Sequence, residues 1–177
     1  MATNSYPEKP VLKYQKTMVE MGLVIPEIRQ SDTMTEVKRA SYIVFRNESA
    51  NGSKGINNNY VGAQADSGRW PEKFDNRISG VVYKAENGTG KMRTFLAFSS
   101  YKDSVSFLID RVLARGLYIG GTLVVKSIGL KMAIVSPEDL AIGYQRGWVK
   151  GSKDYMPTEK ETNDFLSMYR QAEKIFL

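Results

Sequence analysis

The chain has 177 residues, a formal net charge of +6, and neither cysteine nor histidine. That length suits a single domain with a real core. The two missing residue types exclude disulfides, thiol nucleophiles, Ser-His and Cys-His catalysis and the usual zinc ligands, so any chemistry falls to carboxylates, Tyr, Lys, Ser or Thr.

No run reaches the roughly 18 apolar residues that span a bilayer. The opening MATNSYPEKPVLKYQ lacks the basic, apolar and small-residue order of a signal peptide. The expectation is a chain made in the cytoplasm, without a membrane span. A basic balance suits an acidic partner: nucleic acid, anionic lipid or an anionic cell-wall polymer. The basic residues are scattered, without a block of like charge, which argues against a nucleic-acid tail.

In chain order, Lys9 to Gly22 reads as a helix, with Val11, Leu12, Met18 and Val19 on one broad face and Gly22 as its stop. Pro26 then breaks the chain. A second helix opens near Thr33, where Thr33 and Glu36 have capping-box spacing. Met34, Val37, Ser41, Val44 and Glu48 follow at steps of three and four, joined by Ala40 and Ile43. That stripe carries Glu48 to the core side of the helix's C-terminal end. Partial desolvation and the negative end of the helix dipole both disfavour its ionised form, so its pKa is expected to rise.

Asn47 to Gly62 is rich in Asn, Gly and Ser and reads as loop. Ile78 to Phe98 reads as a β-hairpin turning at Asn87-Gly88. Ser100 precedes a helix with Val105, Leu108, Ile109 and Val112 as its stripe and Gly116 at its end. Leu117 to Val135 reads either as short strands or as buried helix pieces. Ser136-Pro137-Glu138-Asp139 starts a helix running through Leu140 and Tyr144 towards Trp148. Thr158 opens a last helix, with Phe165, Met168, Tyr169, Ala172 and Ile175 inward. The fold class is therefore α+β, mostly helical, with one β-hairpin, in a single domain.

A glycosidase acid must hold a proton near neutral pH, and sugars need amides and flat aromatic surfaces. The loop after Glu48 offers Asn57, Asn58, Asn59, Tyr60 and Gln64, and then Trp70. Ordinary roles stand beside these. Glu48 could be a surface acid, Tyr60 and Gln64 loop residues, Trp70 core, and Tyr144 a packing residue at helical spacing from Leu140 and Trp148. Asn51-Gly52-Ser53-Lys54-Gly55 lacks the spacing of a phosphate-binding loop.

The segment NESANGSKGINNNYVGAQADSGRW resembles the catalytic segment of goose-type lysozymes and bacterial lytic transglycosylases. Glu48-Ser49 matches the Glu-Ser pair that ends a core helix in that family. Gly62-Ala63-Gln64 matches its Gly-Leu-Met-Gln-like element, with Ala63 standing for two family residues. Asn58-Asn59-Tyr60-Val61-Gly62 is also similar to an element of the flagellar-type and autolysin-type glucosaminidases. FSSYKDSVSFLIDRVL and LAIGYQRGWVKG resemble later helices of these enzymes, the second bearing a cleft tyrosine that Tyr144 would supply. The resemblance covers residues 33–150.

It implies a lysozyme-like domain that cleaves the β-1,4 bond between N-acetylmuramic acid and N-acetylglucosamine in peptidoglycan, without metal or cofactor. Glu48 would be general acid and base, Tyr144 would assist it, and Ser49, Asn59, Tyr60, Gln64 and Trp70 would contact the glycan. Hydrolases of this kind need a second carboxylate, for which Asp66, Asp75 and Glu86 are candidates. Transglycosylases manage with one, and that reading is preferred. Such compact forms resemble phage enzymes acting on the wall as lysis proteins or virion components. The rival expectations are a non-catalytic wall-binding module and a basic virion or nucleic-acid-binding protein.

Overall fold

The computed structural model describes residues 8–65, 70–86 and 88–177. In chain order the elements are β1 (Lys16–Thr17), α1 (Met21–Gln30), α2 (Thr35–Ser49), β2 (Gly55–Ile56), β3 (Ile78–Ala85), β4 (Met92–Phe98), α3 (Tyr101–Arg115), β5 (Thr122–Val125), β6 (Leu130–Ala133), α4 (Pro137–Gly143) and α5 (Glu159–Ile175). The protein is α+β, about 48% helical, with small antiparallel strand pairs. The sequence reading expects a single domain. Backbone contacts divide the chain into two units, the residues up to Glu27 with Phe45–Phe107, and Ile28–Val44 with Leu108–Leu177.

The first unit is organised around the β3–β4 hairpin, which pairs from Ile78↔Phe98 to Ala85↔Met92. Alternation sets its faces: Ile78, Gly80 and Val82 are buried on β3. Its expected Asn87 turn residue lies outside the described residues. Both edges of the hairpin are covered, which removes the exposed pairing groups of an open sheet. Leu12 N–H donates to the Val81 carbonyl at 2.8 Å, and Val81 N–H donates to the Pro10 carbonyl at 2.9 Å. On the other edge Ala65 N–H donates to Thr94 at 2.7 Å, and Leu96 N–H to Ala63 at 3.0 Å. Gly80 makes the first approach possible, because a Cβ there would lie 2.6 Å from the Pro10 carbonyl oxygen and from Leu12 Cγ.

This pairing corrects the expected helix over Lys9–Gly22. Residues 9–19 run extended, with β1 paired to β2 and Val19 N–H donating to the Gly52 carbonyl at 2.9 Å. Their backbone groups find partners far along the chain. Val11 and Met18, 60% and 75% exposed, have no core to bury. Nor does Pro26 end a segment, for it lies inside α1. Its ring removes the bond to the Gly22 carbonyl, which sits at an exposed residue.

Of the expected stripe, Val37, Ala40, Ser41, Ile43 and Val44 are at most 1% exposed, whereas Met34 lies before α2 and is 50% exposed. Its start differs. The helix begins at Thr35, and Glu36 turns from the expected capping box to Arg39, at 2.6 Å, and to the Tyr169 hydroxyl, which donates to it at 2.9 Å.

In the second unit Leu117–Val135 resolves into strands: β5 and β6 form a second hairpin, Thr122↔Ala133 to Val125↔Leu130. Among the described residues there are thus two such hairpins where the sequence suggests one. Ser136 caps α4 by accepting from Asp139 N–H at 3.1 Å. The helix widens into a π-helical stretch, Tyr144–Lys150. Gly143 and Gly147 lie against β5, where added Cβ atoms would stand 3.0 and 3.1 Å from Leu123 Cδ2. Thr158 and Glu161 form the full capping box of α5, whose Phe165, Tyr169 and Ala172 are buried.

Candidate functional site

The end of α2 is fixed by one hydroxyl. Ser49 Oγ, fully buried, donates to the Phe45 carbonyl at 2.6 Å and accepts from Gly52 N–H at 2.8 Å. The chain then reverses through three left-handed residues, Ala50, Asn51 and Gly52, at φ 48°, 59° and 83°. Asn51 stabilises the turn twice: its N–H donates to the Arg46 carbonyl at 3.0 Å, and its side-chain oxygen accepts from Arg46 Nε at 2.7 Å. Gly52 has no alternative, since a Cβ there would fall 2.0 Å from the Val19 carbonyl oxygen. Glu48 stands one residue before this end, half-buried.

The following loop is held by its own asparagines. Asn57 and Asn58 take φ 47° and 60°, and Ile56 and Asn59 bond across them, as in a two-residue turn of primed type. The Asn57 amide accepts from Gln15 N–H at 2.9 Å and donates to the Lys13 carbonyl at 3.0 Å. Asn58 Nδ2 donates to the Phe98 carbonyl at 3.3 Å. Asn59 is buried; its Nδ2 donates to the Ala63 and Leu96 carbonyls, both at 2.9 Å, and its Oδ1 accepts from the N–H groups of Val61 and Ala63, both at 3.2 Å. The amides expected to meet a sugar are thus engaged with main chain, and their role is to shape the loop.

Tyr60 is likewise core, 1% exposed, with its ring centre 5.7 Å from that of Phe45. Burial raises the pKa of its phenol, which a hydrogen bond with Thr17 opposes. Gly55 makes room for the ring, because a Cβ there would lie 2.3 Å from Tyr60 Cε1.

These elements enclose a pocket of about 90 Å³. Glu48 and Lys54 line it from the helix end, Ile56, Asn59, Tyr60 and Gly62 from the loop, and Lys84 and Phe95 from the hairpin. Gly62, at φ 66°, sits against the carboxylate: a Cβ added there would be 3.8 Å from Glu48 Oε2. Lys84 Nζ lies 5.9 Å from the centre of the Phe95 ring. An acidic residue, two lysines and an aromatic residue therefore line one small pocket.

Among the described residues, the other expected site residues are not part of this pocket's lining. Ser49 is spent on the helix end. Gln64 is exposed, with its backbone bridged to Phe95 of β4. Trp70 is 6% exposed and donates its indole N–H to Asp75 Oδ1 at 2.6 Å, a scaffold arrangement rather than an open platform. Tyr144 belongs to the second unit, buried, its ring centre 5.6 Å from that of Phe165. Glu86 accepts from Thr89 Oγ1 at 2.8 Å and faces Arg93 at 3.6 Å. Asp66 lies outside the described residues.

Sequence reasoning missed Lys54, Lys84, Ile56 and Phe95. Two of them were within reach. Lys84 pairs with Arg93, so the hairpin register places Lys84 and Phe95 on one face as diagonal neighbours. Comparison with protein-family models, with curated proteins and with solved structures finds no match to this chain.

Proposed function

We propose that the chain cleaves peptidoglycan at the β-1,4 bond between N-acetylmuramic acid and N-acetylglucosamine, as a lytic transglycosylase with Glu48 as general acid and then base. The observation that supports this best is the half-buried, helix-terminal Glu48, which lines a pocket together with Gly62 and the asparagine loop. The order of helix, Glu48-Ser49, asparagine loop and hairpin agrees with a lysozyme-like arrangement and with the resemblance carried by residues 48–64. A phage lysis or virion protein belongs to the same proposal.

In the proposed reaction Glu48 gives its proton to the glycosidic oxygen as the C1–O bond breaks, and the bond's electron pair stays with the leaving oxygen. The C6 hydroxyl of the same muramic acid then attacks C1, and its proton returns to the Glu48 carboxylate. The products are a 1,6-anhydro end and a free 4-hydroxyl, with no water consumed. The first step needs Glu48 to carry a proton when the glycan binds.

One carboxylate suits a transglycosylase, whereas hydrolases place two carboxyl groups roughly 5 to 10 Å apart. Among the described residues lining the pocket, Glu48 is the carboxylate. Glu86 and Asp75 have partners of their own in Arg93 and Trp70. Digesting purified peptidoglycan and weighing the released fragments tests the proposal. Anhydro-ended muropeptides are expected. Reducing muramyl ends would make it a muramidase and reducing glucosamine ends a glucosaminidase; release of nothing overturns the enzymatic reading.

A further inference from the structure

The charge of the pocket is unexpected for a neutral glycan. Among the described residues lining it, Lys54 and Lys84 are the cations and Glu48 is the acid. Lys54 leaves the helix-end reversal, its N–H on the Ser49 carbonyl at 2.9 Å. Lys84 comes from β3, across the loop, with its ammonium group over Phe95. Two lysines from separate elements thus line one pocket of about 90 Å³. Neutral sugar hydroxyls give nothing in return that an uncharged amide would not. An anion does, because a charge-assisted hydrogen bond is roughly twice as strong as a neutral one. The ammonium is also a compact charge with rotatable donors, suited to a carboxylate on a flexible substituent.

Resting on the reading of this pocket as a glycan site, we infer that Lys54 and Lys84 receive a carboxylate carried by the peptide substituent of the glycan. The site then selects strands whose peptide carboxylates are free over the same strands with those carboxylates amidated. Lys54 and Lys84 are specificity-determining residues, distinct from Glu48, which moves the proton.

Calorimetric binding to the Glu48→Gln protein tests this without turnover. The probes are a disaccharide-tetrapeptide muropeptide with free carboxylates and the same compound with every carboxylate amidated. The acidic probe is expected to bind about tenfold more tightly. Adding Lys54→Gln and Lys84→Gln together brings the two affinities within about twofold, while the paired Arg replacements keep the preference. Lys102→Gln, on the exposed side of α3, removes a positive charge away from the pocket and leaves the ratio unchanged. Equal binding of both probes, a preference that survives loss of both lysines, or an equal loss on Lys102→Gln overturns the inference. Binding of neither probe overturns it together with the glycan reading. Preference without any turnover by the wild type sinks the enzymatic reading alone, and turnover without preference sinks the lysine assignment alone.

Discussion

Gly62 lies directly against the carboxylate of Glu48, so that a methyl group on its Cα would sit 3.8 Å from Oε2. The residue is held at φ 66°, where side chains are strained and β-branched ones most of all. Loop and helix end thus meet at a residue without a side chain. Gly62→Val adds bulk there and strain together. Its expected result is a loss of roughly tenfold or more in fragment release with about 1–3 kcal/mol of stability. Gly88→Ala is the control: it strains a left-handed glycine at φ 91° with open space around it and should leave release unchanged. Peptidoglycan digestion rates and denaturant midpoints for the two variants separate strain from occlusion.

Ser49 supports Glu48 from the next position. Its hydroxyl satisfies both the Phe45 carbonyl and the Gly52 N–H inside the fold. Ser49→Ala leaves that buried N–H without its partner and should cost about 1–3 kcal/mol. Equilibrium urea unfolding gives the number directly. A variant as stable as the wild type would mean that the helix end is held by something else.

Tyr169 predicts a loss of stability in alkali. Burial, and then its hydrogen bond to Glu36, push its phenol up to about 12 from an ordinary 10.0. The fold favours the neutral phenol, so the contribution is whole below the unfolded pKa of 10.0 and disappears as pH rises through about 12. Tyr60 and Tyr155 shift in the same direction and add to the slope. Tyr169→Phe should therefore lower stability at neutral pH and flatten the decline across that alkaline window. Melting temperatures recorded along a pH series would check it; an unaltered slope in the variant would count against the assignment.

The parts of the fold legible in the sequence are those with local causes. Ser136 and Thr158 announce α4 and α5 because a cap is settled within three residues. The stripe of α2 is legible because period 3.6 sorts its faces, and the same count carries Glu48 to the helix end. The stretch from Lys9 to Val19 was not legible. Its partners are Val81, Gly55 and Gly52, far along the chain, and nothing in its own spacing names them. The asparagine loop misled for a related reason: an amide that binds a sugar and one that binds a carbonyl look alike in sequence. Only the burial of Asn59 and its bonds to Ala63 and Leu96 distinguish them. Lys54 was hidden because it joins the hairpin residues in one pocket lining only through tertiary structure.

The most direct measurement compares Glu48→Gln with the wild type in releasing muropeptides from purified peptidoglycan. The replacement keeps the shape of the side chain and removes its ability to give and take a proton. The account predicts that release falls by about 10²–10⁴-fold while the denaturant midpoint stays within experimental error of the wild type. Release at the wild-type rate by a folded Glu48→Gln protein would contradict it.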